Sequence, residues 1–143
     1  MSRIINPESA GKERTQLTRA VVLALRELIQ KTSVDDQTRD LAAFIALALA
    51  SIYETIDISV AAWEKRGYWV KADRFRMEWI WTQSLGGALR TALLAEDWAT
   101  VAGVSAQVMQ KLKEVDVPRR NQIGTPWVGA WQHMMAQPRG SGN

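Results

Sequence analysis

The stretch DQTRDLAAFIALALASIYETIDISVAAWEKR, residues 36–66, decides the fold class. Leu41, Ile45, Ala48, Ile52, Ile56 and Trp63 recur at helical spacing, and Phe44, Leu47 and Ile58 widen that stripe to a second face. A helix apolar over so much of its circumference is either central in a bundle or part of an oligomer interface. The acidic residues Asp35, Asp36 and Asp40 stand where a helix N-terminus accepts negative charge, and they read as caps of this helix. Gly67 ends it, because glycine takes the left-handed C-cap conformation without a steric penalty.

The neighbouring segments are helical by the same logic. Asn6, Pro7 and Glu8 form an N-cap and first turn, and Leu17, Val21, Ala24, Leu25 and Leu28 then carry a first helix from Pro7 to Lys31. Lys12, Arg19 and Arg26 line its solvated side. A third helix is predicted from Trp69 to Ala95, with Asp73, Arg76, Gln83 and Arg90 on its polar face and Phe75, Met77, Trp79, Trp81, Leu85, Leu89 and Leu93 on its apolar arc. Gly86 and Gly87 inside it cost about 2 kcal/mol relative to alanine, so they mark a close helix contact or a bend. Asp97 caps a fourth helix bearing Trp98, Val101, Ser105, Val108, Leu112 and Val115, which Pro118 closes. In NQIGTPWVGAWQHMM, residues 121–135, Thr125 reads as an N-cap, Pro126 as the first turn, and Trp127 and Trp131 as a ridge on a short last helix. The expectation is an all-α, antiparallel four-helix bundle with a short fifth C-terminal helix. Residues 1–136 make one domain, and residues 137–143, rich in Gly and Ser, make a disordered tail.

At 143 residues the chain is long enough to bury a core without metal or disulfide staples. It contains no cysteine, which excludes disulfides, thiolate metal sites and a Cys nucleophile and fits a reducing compartment. The opening residues lack the apolar core of a secretory signal, and the run Leu41 to Tyr53 is shorter than the roughly 20 residues a spanning helix needs. A cytoplasmic protein with no membrane association and no cofactor is expected. Eighteen Lys and Arg against fifteen Asp and Glu leave a charge of only +3, too mild a bias to mark a nucleic-acid module by itself.

Seven tryptophans against two Phe and two Tyr point to large flat apolar surfaces in use. Trp63, Tyr68, Trp69, Phe75, Trp79 and Trp81 alternate with Lys65, Arg66, Lys71, Arg74 and Arg76, so this segment is either a packed hairpin or a surface made for a partner. On one continuous helix Trp79 and Trp81 point about 160° apart and cannot face the same neighbour. Trp69, Trp79, Trp81, Trp127 and Trp131 are therefore the candidate interface residues.

The charges of the same hairpin suggest a buried ion-pair network of Asp57, Glu64, Lys71, Arg74 and Glu78, with Glu64 opposite Lys71 and Asp57 opposite Arg74. Glu54, Asp57 and Glu78 could alternatively converge as carboxylates around Mg²⁺. The ExxD pair Glu54 and Asp57 resembles the helical nucleotide pyrophosphohydrolases, which implies Mg²⁺-dependent nucleotide hydrolysis. Where that family carries a preceding ExxE pair, the first helix here offers Glu27 with Gln30. His133, the only histidine, has no Glu-x-x-His partner motif for di-iron chemistry. The Gly11-Lys12 pair lacks the glycine spacing and the Ser or Thr of a phosphate loop.

A nucleic-acid surface is a further alternative. Glu64, Asp73 and Glu78 lower the aromatic segment's charge from +5 to +2, so the more continuous patch is Lys111, Lys113, Arg119 and Arg120 at the end of the fourth helix. The leading expectation is a non-enzymatic assembly or adaptor protein, binding a second copy or a protein partner through the Trp-rich hairpin and terminal helix.

Overall fold

In the computed structural model, which describes residues 6–137, all regular structure is helical. Six helices follow one another: α1 (Pro7–Leu28), α2 (Asp36–Lys65), α3 (Trp69–Trp79), α4 (Trp81–Leu94), α5 (Trp98–Lys111) and α6 (Ala130–Ala136). α2 is the hub: α1, α3, α4 and α6 all pack on it, while α5 rests mainly on α4. Leu41, Ala42, Ala43, Ile45, Leu49, Ile52 and Ile56 of α2 are completely buried, as its apolar circumference requires.

Local chemistry starts the helices. The Asn6 side chain accepts from the Ser9 N–H at 2.8 Å, and Pro7 fills the first helical position of α1. Asp35 and Thr38 form a reciprocal capping box at the start of α2. Asp97 accepts from both the backbone and the hydroxyl of Thr100 to open α5. Gly67 turns the chain between α2 and α3 at φ +85°, a conformation that penalises any side chain.

Cross-contacts give the directions of the helices along α2. Arg14 near the start of α1 meets Thr55 and Ser59 near the end of α2, whereas Lys31, just past α1, meets Gln37 at the beginning of α2. Gly86 of α4 lies against Leu49, and Arg39 near the start of α2 pairs with Glu96, beyond α4, at 2.8 Å. α1 and the α3–α4 arm therefore both run back along α2.

The predicted third helix is interrupted, and not at its glycines. The Thr82 hydroxyl donates to the Trp79 carbonyl at 2.7 Å, and the Gln83 N–H turns to Ile80 three residues back. The ladder tightens to one three-residue turn at Ile80, which keeps right-handed helical angles (φ −59°, ψ −24°), and α4 follows from Trp81. Gly86 instead provides a close approach, since a Cβ there would sit 3.0 Å from the Leu49 Cβ. Gly87 faces open space.

Other boundaries shift as well. α1 stops at Leu28 rather than Lys31, and α5 stops at Lys111, well before Pro118. Residues 126–129 form a turn, so Thr125 caps no helix; α6 starts at Ala130 after Gly129 at φ +83°. Most of the expected tail, residues 138–143, lies outside the described residues.

α2 is long and apolar enough to cross a membrane by length and composition, although its longest uninterrupted apolar run is short. In the fold, 56% of that apolar window is buried against other helices.

Two expected outcomes follow from this packing. Gly87→Ala should stabilise the protein by about 0.5–1 kcal/mol and Gly86→Val should destabilise it by about 1–3 kcal/mol, as read by urea unfolding. Equal effects at the two sites would contradict the close α2–α4 approach. Asp35, Glu96 and Asp97 are held below the usual carboxylate range, Asp35 and Asp97 by hydrogen bonds from Thr38 and Thr100, and Glu96 by Arg39. A depressed carboxylate stabilises the fold above its unfolded pKa and loses that contribution as pH falls through its folded value. The thermal midpoint should therefore be flat from about pH 7 to 5 and drop below about pH 4, less steeply in Asp35→Asn.

Candidate functional site

The aromatic and basic hairpin resolves into two layers. The inner layer is a row of four rings. Trp63 meets Phe75 edge-on at 4.9 Å, Phe75 lies 6.4 Å from Trp79, and Trp79 stacks on Trp81 at 6.2 Å with planes 22° apart. Each such pair adds about 0.5–1.5 kcal/mol beyond burial. Trp79 and Trp81 stack on one another rather than diverging, although Ile80 between them keeps right-handed helical angles (φ −59°, ψ −24°).

Two cations sit on this row. The Arg14 guanidinium lies 4.8 Å from the Phe75 ring centre while donating to the Thr55 hydroxyl, the Thr55 carbonyl and the Ser59 hydroxyl. It ties α1 to α2 and α3, and its burial lowers its pKa. The Lys71 ammonium lies 4.5 Å from the Trp63 ring centre. Cation–π contacts of this kind contribute about 0.5–2 kcal/mol according to exposure.

The expected buried ion-pair network is not formed. Arg76, rather than Arg74, faces α2 and pairs with Asp57 at 3.6 Å and Glu64 at 3.9 Å, with all three side chains between 30% and 53% exposed. Ion pairs this wet contribute about 0–1 kcal/mol each. Lys71 is used by Trp63, while Arg74 and Glu78 are exposed on the side of α3 away from its buried Ala72. The carboxylates Glu54, Asp57 and Glu78 are all exposed, and no cluster of three potential metal ligands occurs among the described residues. Lys111, Lys113, Arg119 and Arg120 are exposed at the end of α5 and in the following loop.

The candidate interface tryptophans separate. Trp127 is 5% exposed and belongs to the main core, which removes it from the interface set. Trp79, Trp81 and Trp131 are half-buried against that core. Trp69 is 58% exposed.

Trp127 is buried by a long-range cap that the sequence reading assigned elsewhere. Asp40 does not cap its own helix; its carboxylate accepts from the Gly129 N–H at 3.0 Å and the Trp131 N–H at 2.9 Å, some ninety residues along the chain. Two unpaired donors at the start of α6 are thereby satisfied by α2, and a negative charge faces the positive end of the helix. Trp127, Ala130 and Met134 enter the core behind this contact.

The outer layer is the candidate site. Tyr68, Trp69, Val70, Met77 and Ile80 are exposed, at 55%, 58%, 67%, 77% and 37%. At about 100° per residue, Trp69, Ile80, Asp73, Met77 and Val70 share an arc about 100° wide on the side of α3 that faces away from α2. On one wheel drawn through Trp69 to Ala95, Met77 falls in the core arc and Val70 and Ile80 join no stripe, because that wheel merges two apolar faces. A wheel restricted to residues 69–80 separates them.

No protein-family model matches this chain, and neither a curated protein nor a solved structure shows significant similarity to it.

If Asp40 holds α6 in place, Asp40→Ala should cost about 1–2 kcal/mol and shift Trp127 emission to the red, with proteolysis between residues 118 and 130 accelerated. Unchanged fluorescence and proteolysis would show that apolar packing alone seats the segment.

Proposed function

We propose that this protein is a non-enzymatic helical assembly module whose contact surface is the outward face of α3 with the adjoining α2–α3 turn. The scaffold in this reading is an antiparallel four-helix bundle of α1, α2, the α3–α4 arm and α5, with α6 clipped to α2. One observation carries the proposal: α3, which packs mainly on α2, presents Trp69, Val70, Met77 and Ile80 outward on one arc around Asp73, with Tyr68 beside it. Weighted by exposure, these side chains offer on the order of 600 Å² of surface, the size at which an apolar patch on a monomer is characteristically functional.

Alternative uses of the hairpin have less support. The carboxylates that a nucleotide hydrolase would need stay apart, with Asp57 facing Arg76. The basic residues Lys111, Lys113, Arg119 and Arg120 belong to the α5 end and the following loop and not to α3, which carries the exposed Trp69, whereas nucleic-acid stacking needs aromatics and cations on one surface. The exposed apolar strip is accounted for by burial against protein.

Light scattering across a concentration series should show the mass rising above the 16.0 kDa of one chain, and Met77→Glu should return it to that value without loss of helicity. A wild-type mass that stays at one chain, or an oligomer indifferent to Met77→Glu, would refute the assignment of this face.

A further inference from the structure

We infer that the occupant of the α3 face is the α3 face of a second copy, packed antiparallel about a two-fold axis at the level of residue 75; this rests on the reading of that face as an interface. Three observations support a second copy. The first is the palindromic spacing of the strip. Val70, Asp73, Met77 and Ile80 are separated by three, four and three residues, so the pattern reads the same in both directions. A self-complementary patch of this kind is what an isologous contact requires. With the axis at residue 75, Val70 of one copy lies opposite Ile80 of the other, and Asp73 opposite Met77.

The second observation is charge. Asp73 stands in the middle of an apolar arc and is exposed. A carboxylate at the centre of a covered apolar surface needs a cation, since burying it unpaired is costly. In the antiparallel register Arg76 and Arg74 of the other copy lie one and three residues from its level. The two-fold axis supplies that pairing twice. Asp73 also disfavours an apolar surface such as a lipid bilayer, which offers no such cation within its interior, and it makes slipped registers less favourable in the way a single polar residue fixes helix pairing.

The third observation is area. Two such strips cover on the order of 1,200 Å² together, at the lower limit of stable specific interfaces. A dimer in concentration-dependent exchange with the monomer is the corresponding state. The other exposed apolar side chains, Ile29, Val34, Leu94, Val128 and Met135, come from several different helices and turns rather than from one helix.

The absence of native cysteine makes the geometry directly readable. Val70→Cys and Ile80→Cys are both at exposed positions, and each variant is first confirmed by circular dichroism to retain its helicity. Under copper–phenanthroline oxidation, the mixed variants should form a covalent dimer joining one of each, several-fold more abundant than the dimer from either variant alone. Preferential self-linking of Val70→Cys would indicate a parallel pair and overturn the inference. Absence of any cross-link would overturn it too. If light scattering still shows an oligomer that Met77→Glu dissolves, only the proposed geometry fails; if the wild type stays at the mass of one chain, the interface reading fails with it.

Discussion

The constraint on which the rest of the structure depends is the apolar circumference of α2. A helix of 30 residues, about 45 Å long, cannot remain in water with this much aliphatic surface, and one neighbour covers only one stripe of it. α1, the α3–α4 arm and α6 each take a different portion. This explains why so short a segment as α6 is recruited. Alone, seven residues would not hold a helix, yet with Trp127 and Met134 in the core and Asp40 on its first N–H groups the segment completes the cover.

Coverage of α2 is less complete at the hairpin end, and the functional reading begins there. α3 contributes one fully buried residue, Ala72, and is held by the row of rings from Trp63 to Trp81 and by Arg14 above Phe75. The aromatic and basic interleaving is therefore largely internal: its rings pack with one another and two of its neighbouring cations rest on them. What the row leaves over is the opposite side of α3. A helix anchored on one side by aromatic packing and apolar on the other gives a rigid presentation of Trp69 and Met77, which reduces the ordering cost of forming a contact.

The features legible in the sequence are those written locally. Asn6 with Pro7, the acidic start of α2, Gly67 and Asp97 mark boundaries by chemistry acting over three or four residues, and all four appear in the structure. The breadth of the apolar surface on α2 likewise announces a central helix. What was not legible depends on partners remote in sequence or on which side of a helix meets its neighbour. Asp40 looks like one more acidic cap until α6 is brought to it from some ninety residues away. The interruption at Ile80 divides the predicted third helix, and within the shorter α3 it is Arg76 rather than Arg74 that faces α2 and Met77 that is exposed. The segment that carries the candidate site stands out in the sequence; which of its faces is free does not.

The most direct test of the central claim is hydroxyl-radical footprinting of the unmodified protein at low and high concentration, read residue by residue. Oxidation of Trp69 and Met77 should fall as concentration rises, while Met135, exposed on α6, stays reactive and the buried Trp127 stays protected throughout. Trp69 and Met77 remaining equally reactive at all concentrations, or protection appearing at Met135 instead, would contradict the assignment of α3 as the contact surface.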